Sequence, residues 1–170
     1  MKIALMGYSG SGKSTLAGKL GRAFQIPVLH LDSVNFLPGW NLRDRESANG
    51  MVLEFLKKES WIIDGNYGEF YKKRRIEEAD LIILLLLPRF TCLKRAFFRY
   101  LKYRGKTRED MASGCNEKLD FEFIKWILYN GRNKAKREAF KQTVNSYPEK
   151  TIVLKSQKEI DEFVKGFAKI

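Results

Sequence analysis

The segment GYSGSGKST, residues 7–15, fits the pattern G-x-x-x-x-G-K-[ST], in which a glycine-rich loop opens a helix. A short apolar run, KIALM (2–6), comes directly before it, and a helical pattern, KSTLAGKLGRAF (13–24), overlaps its end. Strand, loop and helix therefore follow one another in the order that a phosphate-binding loop (P-loop, or Walker A motif) requires. A glycine-rich turn without function is the alternative, and the agreement between pattern and context argues against it.

The residue types in this loop match the chemistry of a bound triphosphate. Glycines let the backbone curve around an anion with its N–H groups directed inward, and the N-terminus of the next helix adds partial positive charge. Lys13 is expected to reach the β- and γ-phosphates, and the Ser14 hydroxyl to bind Mg²⁺. The predicted nucleotide-binding residues of the loop are Gly7, Ser9, Gly10, Ser11, Gly12, Lys13, Ser14 and Thr15.

Short apolar runs alternate with longer helical patterns along the rest of the chain. Strands are predicted at 2–6, 28–31, 61–64, 81–87 and 151–155, and helices at 13–24, 42–58, about 119–145 and 158–170. This alternation is typical of parallel βαβ units. The sequence therefore predicts a single α/β domain over residues 1–170: a three-layer P-loop NTPase fold with a parallel five-stranded sheet.

Charge is unevenly distributed over the 170 residues. The net charge is +12, and residues 65–155, with 21 basic and 11 acidic residues, account for +10 of it. A field of this sign favours anionic partners, namely nucleic acid, free nucleotides or a phosphorylated substrate.

Several classes of protein are disfavoured by composition. Two cysteines and one histidine are too few for a disulfide framework or a tetrahedral zinc site. The N-terminal apolar run is too short for a signal peptide, and LIILLLL (81–87) is far shorter than the ~20 residues of a membrane span. The sequence predicts a reduced, cytoplasmic protein with no membrane partner.

Two aspartates follow predicted strands. Asp32 closes VLHLD (28–32) and Asp64 closes WIID (61–64). Either could be an ordinary helix cap or turn residue. Since parallel strands end at one edge of the sheet, where ligands bind in open α/β folds, we expect both carboxylates to lie beside the P-loop.

The P-loop, WIIDGNY (61–67) and ADLIILLLLPRFTCLKRAFFR (79–99) together resemble the adenylate kinase-related nucleoside and nucleotide kinases. In adenylate kinases, a strand ending in Asp-Gly carries the carboxylate that organises the Mg²⁺ waters, and Asp64 matches that position. A later strand ends in proline, with arginines seven and eleven residues on, where the lid over ATP begins. The resemblance therefore implies that Arg95 and Arg99 contact the nucleotide.

The resemblance extends to proteins labelled DNA topology modulation protein (FlaR-related), through LHLDSVNFLPGW (29–40), WIIDGNY and REDMASGCNEKLD (108–120). That label implies an effect on DNA. Adenylate kinases follow Asp-Gly with a Phe-Pro-Arg that grips the monophosphate, whereas this chain has Asn66 and Tyr67, so the acceptor need not be AMP. HLDSVNF is similar to the segment of nucleoside and small-metabolite kinases whose aspartate accepts the hydroxyl proton, which implies that role for Asp32.

The most basic segment is RFTCLKRAFFRYLKYRGKTR (89–108), with eight Lys and Arg residues and no acidic residue. On a helix, the basic stripe Arg95, Arg99, Lys102 and Lys106 falls within about 60°, and Leu93, Phe97, Tyr100 and Leu101 fall on the opposite, packing side. The stripe is interpreted first as a phosphate clamp, with a solvated face and a nucleic-acid surface as alternatives. Further candidates for phosphate contacts are Arg104, Arg108, Arg132 and Arg137.

A few single residues are ambiguous from sequence. His30 alternates with leucines on the second predicted strand, which favours a core or edge position over catalysis. Trp40 could line an acceptor pocket or simply pack. KKRR (72–75) is typical of a solvated helix end.

The sequence hypothesis is a P-loop kinase that transfers the γ-phosphate of ATP, with Mg²⁺, to a small acceptor such as a nucleoside or nucleotide. An acceptor-binding arm is expected at 33–59 and a lid at 100–118, with adenine between Arg95 and Ser156. The predicted catalytic residues are Lys13, Asp32, Arg95 and Arg99, and the predicted metal residues are Ser14 and Asp64. The alternative is an ATP-binding regulatory protein associated with DNA.

Overall fold

The computed structural model describes residues 1–108, 110–112 and 114–167. Its strands and α-helices, in chain order, are β1 (Lys2–Gly7), α1 (Lys13–Phe24), β2 (Val28–His30), α2 (Leu31–Asn35), β3 (Phe36–Leu37), β4 (Asn41–Leu42), α3 (Arg45–Leu56), β5 (Trp61–Asp64), α4 (Lys72–Glu78), β6 (Leu81–Leu85), α5 (Arg89–Tyr103), α6 (Phe121–Leu128), α7 (Lys134–Ser146), β7 (Thr151–Leu154) and α8 (Gln157–Phe167). The main sheet has the order β2-β5-β1-β6-β7, and all its neighbouring strands are parallel. The predicted five-stranded α/β fold is confirmed.

Helices cover both faces of this sheet, because its strands carry apolar side chains on both faces. Ile3 and Leu5 of β1 pack with buried residues of α1, α5, α6 and α8, whereas Ala4 and Met6 pack with α3, α4 and α7. Strands that are buried on both faces need continuous apolar sequence, which explains the long run at 81–87.

The position of β1 at the centre of the sheet places the candidate site. β1 pairs with β5 on one side and with β6 on the other. The strands that follow β1 in the chain first add to one side of it and then to the other, so the strand order reverses here. Ligands of open α/β sheets bind at the carboxyl ends of the strands where the order reverses. The loop that follows β1, residues 8–12, lies at this point.

The long helical region predicted over 119–145 is not one continuous helix. It consists of α6 and α7, separated by a 3₁₀ turn at Asn130–Arg132. The side chain of Asn133 accepts a hydrogen bond from the backbone N–H of Lys136 at 2.9 Å, which starts a new helix there. Capping outweighs the helical periodicity that continues across the break.

The apolar side of α5 was also predicted incorrectly. Phe97 and Leu101 were expected to pack, but they are 46% and 52% exposed. The helix instead buries Cys92, and the same side of α5 carries Arg95 and Arg99 into the cleft described below. The side of α5 that faces the protein therefore carries small residues and arginines rather than aromatic residues.

Within the residues described, no helix combines the length and the apolar character that crossing a bilayer requires.

Candidate active site

A cleft of about 940 Å³ lies at the carboxyl edge of the sheet. Nearly all of the predicted site residues line it: Ser9, Gly10, Ser11, Gly12, Lys13, Ser14, Thr15, Asp32, Asp64, Arg95 and Arg99. Gly7 does not line the cleft but forms the last residue of β1, directly before the loop. Residues that are 90 positions apart in the sequence are thus brought to one cavity.

The P-loop leaves the start of α1 free of a side-chain cap from the described residues. Gly12, the residue before α1, has φ 93°, a left-handed conformation that side chains disfavour, and no side chain caps the helix. The first turn of α1 contains no acidic residue. Its N–H groups and partial positive charge are therefore available to a phosphate. Lys13 Nζ donates to the carbonyl of Tyr8 at 3.0 Å, within the same loop.

Asn66 fixes the start of this loop to the neighbouring strand. The backbone N–H of Gly7 donates to Asn66 Oδ1 at 3.0 Å, and Asn66 Nδ2 donates to the carbonyl of Gly7 at 2.7 Å. A side chain amide is the group that can both accept from and donate to one residue's backbone. The sequence analysis missed this role, because Asn66 was noted only as a departure from adenylate kinases.

Asp64 is buried at the end of β5, and His30 Nδ1 lies 3.1 Å from its Oδ2. Burial opposes ionisation of this carboxyl, but the hydrogen bond to His30, the charge of Lys13 and the Ser14 hydroxyl outweigh it and lower the pKa of Asp64. The other oxygen, Oδ1, is buried and has no hydrogen-bond partner among the described residues. An ionised, unpartnered carboxylate oxygen beside Ser14 fits the donor set that Mg²⁺ or its waters need.

His30 has a more direct part in the site than its sequence pattern indicated. It pairs in register with Asp64 across β2 and β5, which places the two side chains together at the strand ends. Burial disfavours its charged form, but the hydrogen bond and negative charge of Asp64 prevail, so the pKa of His30 is raised. The available signal was positional: both residues end strands that neighbour one another.

Asp32 lies in the first turn of the short helix α2, because β2 ends earlier than predicted, at His30. Its Oδ1 accepts a hydrogen bond from the hydroxyl of Tyr67 at 2.6 Å. The rings of Phe36 and Trp40 meet edge to face, with centroids 5.2 Å apart, and both line the same cleft. Asp32 directly precedes the predicted acceptor arm (33–59) and lines the same cleft as these two rings.

Arg75 organises the loop that follows β5, contrary to the solvated helix end predicted for residues 72–75. It is 1% exposed and donates to three carbonyls: Nε to Phe70 at 2.7 Å, Nη1 to Gly65 at 3.1 Å and Nη2 to Tyr67 at 2.6 Å. Burial lowers its pKa to about 10. A guanidinium holds this loop in place because it alone offers so many donors in one plane.

We expect Arg75→Ala to lower the free energy of unfolding by about 3 kcal/mol or more, since it leaves several buried carbonyls without donors. Urea denaturation followed by circular dichroism measures the loss. The matched control is Arg74→Ala, which removes an exposed ion pair to Glu78 on the same helix and should cost less than about 1 kcal/mol. Equal losses in both variants would contradict this role of Arg75.

Arg95 connects the P-loop to α8. Its Nη1 donates to the carbonyl of Ser11 and its Nη2 to Oε1 of Gln157. This is the region near Ser156 where the sequence hypothesis placed adenine, and Arg95 and Gln157 both line the cleft.

Among the further arginine candidates, Arg132 has a structural position. It donates to the carbonyls of Ile127 at 2.9 Å and Leu87 at 2.8 Å, and its guanidinium lies 3.8 Å from the ring centroid of Tyr8. Arg104 and Arg137 are exposed and do not line the cleft. Arg108 does line it.

Trp126 and Lys136 are among the cleft residues that were not predicted from the sequence. Trp126 of α6 donates from Nε1 to Oγ of Ser9 at 3.0 Å, and Lys136 Nζ lies 3.4 Å from the centroid of its ring. Both line the cleft beside the P-loop. Neither belongs to a recognisable motif, so their position depends on how α6 and α7 pack.

The segment predicted as a lid, 100–118, contains the last turn of α5 and most of the loop before α6. This loop contacts the predicted acceptor arm: Trp40 Nε1 donates to the carbonyl of Asn116 at 3.0 Å, and the N–H of Gly39 donates to the carbonyl of Gly114 at 3.3 Å. The predicted lid and the segment REDMASGCNEKLD (108–120) both include Glu109 and Ser113, which lie outside the described residues. Residues 168–170 of the last predicted helix also lie outside them.

No protein-family model matches the sequence, and no curated protein matches it. Among solved structures, TT1252 from Thermus thermophilus is similar with a TM-score of 0.51 and 16% identity, over 98% of this chain and 95% of that chain. A deoxyadenosine kinase from M. mycoides, solved with dCMP and a flexible dCDP as products, is similar with a TM-score of 0.50 and 16% identity, over 100% of both chains. At this identity the likeness supports the α/β fold alone, and it does not show an activity.

Proposed function

We propose that this protein is a phosphotransferase of the nucleoside and nucleotide kinase type, which moves the γ-phosphoryl group of ATP to a small acceptor. One observation carries the proposal: a single cleft of about 940 Å³ contains the P-loop, two aspartates and the arginines of α5. Phosphoryl transfer depends on positioning and on neutralising charge, and these residue types supply both.

In this proposal the triphosphate of ATP lies on the P-loop, with Lys13 at its β- and γ-phosphates. Adenine lies toward Arg95 and Gln157. Ser14 and the unpartnered oxygen of Asp64 would hold Mg²⁺. When bound, the ion supplies positive charge to the phosphate oxygens.

Asp32 is proposed to serve the acceptor. The reaction breaks the bond between the γ-phosphorus of ATP and its bridging oxygen and forms a bond from that phosphorus to an acceptor hydroxyl. The hydroxyl proton passes to Asp32, which can accept it because a carboxylate can act as a general base. Phe36 and Trp40, which line the same cleft, suit an acceptor with a planar ring, so nucleosides and nucleotides are the first class to test.

A second function, an ATP-dependent regulatory protein associated with DNA, is favoured by one observation. Lys102, Arg104 and Lys106 at the end of α5 are exposed and form a basic surface outside the cleft. The resemblance to FlaR-related proteins points the same way. Basic surfaces bind DNA through its phosphates without reading sequence.

The two functions are distinguished by what stimulates ADP release. A kinase requires a small acceptor, whereas a DNA-coupled ATPase requires DNA. Steady-state ADP release should therefore be measured with a panel of nucleosides, nucleotides and small phosphorylated metabolites, and separately with duplex DNA. Stimulation by one acceptor class, with formation of the phosphorylated product, supports the proposal. Stimulation by DNA alone would reject it in favour of the second function.

We expect Arg95→Lys to lower turnover by about tenfold or more, because lysine cannot bridge two groups as the planar guanidinium of Arg95 does. Lys102→Ala on the same helix is the control and should leave turnover within about twofold. On a DNA-binding surface, where charge matters more than geometry, Arg95→Lys would instead keep duplex binding close to wild type. Lys102→Ala would weaken it and flatten the slope of affinity against log salt by about one unit. Turnover and salt-dependent DNA affinity, measured on both variants, separate these patterns.

A further inference from the structure

One buried carboxylate is shared by two arginines of the cleft. Glu117 is 8% exposed, and its Oε1 lies 2.6 Å from Arg99 Nη2 and 2.8 Å from Arg99 Nε. Its Oε2 lies 2.7 Å from Arg108 Nε. All three residues line the cleft. Arg99 was predicted to contact the nucleotide, whereas Arg108 was only one of several basic candidates and Glu117 was not considered.

The carboxylate makes it possible for the two guanidinium groups to lie near each other. Burial and then repulsion by Arg108 lower the pKa of Arg99, and the charge and hydrogen bond of Glu117 oppose both effects. Two partly buried cations without an anion between them would move apart or draw in a counterion. Glu117 offsets one of the two positive charges, and Asp110, whose Oδ2 lies 2.7 Å from Arg108 Nη1, offsets the other. What the two arginines offer a phosphate is therefore free N–H donors rather than a net charge.

The arginines keep free donors for another anion. Arg108 Nη1 is paired with Asp110 Oδ2 at 2.7 Å, in addition to the contact of its Nε with Glu117. Within the part of the chain that the structure describes, Arg99 Nη1 and Arg108 Nη2 have no hydrogen-bond partner. Each guanidinium therefore has one unused terminal nitrogen in a cleft that also contains the P-loop.

Glu117 is also next to the contact between lid and arm. Its neighbour Asn116 accepts a hydrogen bond from Trp40 Nε1 at 3.0 Å, and Cys115 Sγ lies 3.2 Å from the carbonyl of Leu37. Asn116 thus lies in the chain directly beside Glu117, which contacts both arginines, and bonds to Trp40 of the acceptor arm.

From this geometry we propose that Glu117 is a positioning residue that holds Arg99 and Arg108 as a pair for the terminal phosphate of the nucleotide. Arg108 is the second phosphate-binding arginine of that pair. The contact of Asn116 with Trp40 ties the position of the pair to the acceptor arm. This inference rests on the proposed function, since it assumes that a nucleoside triphosphate occupies the P-loop.

The experiment compares two nucleotides that differ only at the terminal phosphate. Calorimetry gives the affinity of each protein for ADP and for a non-hydrolysable ATP analogue, with Mg²⁺, and the ratio of the two affinities reports contacts to the third phosphate. We expect Glu117→Gln and Arg108→Ala each to lower this ratio about tenfold, while the affinity for ADP changes less than about threefold. Glu117→Asp keeps the charge and should recover part of the loss. Glu122→Gln, an exposed acid on α6, is the matched control.

The outcomes separate this inference from the proposed function. An unchanged ratio in Glu117→Gln, with a lower melting temperature, would show that the Glu117 cluster only stabilises the lid and would overturn the inference. If Glu117→Gln does not fold, the ratio in Arg108→Ala decides in the same way. If the wild-type protein binds the ATP analogue but phosphorylates no acceptor, the proposed function fails, and the ratio still tests the arginine pair. If it binds neither nucleotide, both fail.

Discussion

Lys13→Ala is expected to lower phosphoryl transfer by about 10³-fold, which corresponds to about 4 kcal/mol of transition-state stabilisation. Lys13 is the cation of the P-loop itself, at the N-terminus of α1, and it lines the cleft. Alanine keeps the helix and removes the charge that neutralises the transferring group. Single-turnover transfer from ATP, at saturating acceptor, measures the chemical step directly.

The variant should remain folded, because the hydrogen bond that Lys13 Nζ makes to the carbonyl of Tyr8 lies within the loop. A loss of about 1 kcal/mol in unfolding free energy is expected from it. Lys158→Ala removes a lysine that is 85% exposed on α8 and serves as the control. Equal transfer rates in Lys13→Ala and in wild type would remove Lys13 from the mechanism.

The sheet and the P-loop could be predicted from the sequence because local signals determine them. A strand buried on both faces, as at 81–85, must be continuously apolar, and a loop that wraps an anion must contain glycines at fixed spacing. The aspartates were placed correctly near the P-loop for the same reason, since parallel strands end at one edge. Asp32 nevertheless lies in the first turn of α2 rather than on a strand.

The residues that were missed act through contacts that are distant in sequence. Asn66 bonds to Gly7 across 59 positions, and Trp126 bonds to Ser9 across 117 positions. Neither pair has a spacing pattern, because the partners meet only after the sheet and helices pack. Arg75 was misread for a related reason: a run of four basic residues looks solvated even where one of them is buried.

The two aspartates should differ in which half of the reaction they affect. We expect Asp64→Asn to lower transfer about 10²-fold and to raise the Mg²⁺ concentration needed for both transfer and background ATP hydrolysis. An amide cannot supply the negative charge that the unpartnered Oδ1 offers, and it also loses the ionic contact with His30. Mg²⁺ titrations of both activities measure the shift. Asp80→Asn, an exposed aspartate that bonds to the backbone of Lys2, is the control.

Asp32→Asn is expected to lower transfer by about 10²-fold or more. ATP binding and slow ATP hydrolysis, and the Mg²⁺ dependence of both, should stay close to wild type. The amide can still accept the hydrogen bond from the Tyr67 hydroxyl, so the shape of the acceptor region is kept and only the basic oxygen is lost. Transfer and acceptor-free hydrolysis, measured on the same preparation, test this division. The assignment of roles fails if Asp32→Asn destroys ATP binding while Asp64→Asn has no effect on the need for Mg²⁺. In that case the carboxylate at the end of β5 serves the fold through His30, and the metal residue must be sought on α2.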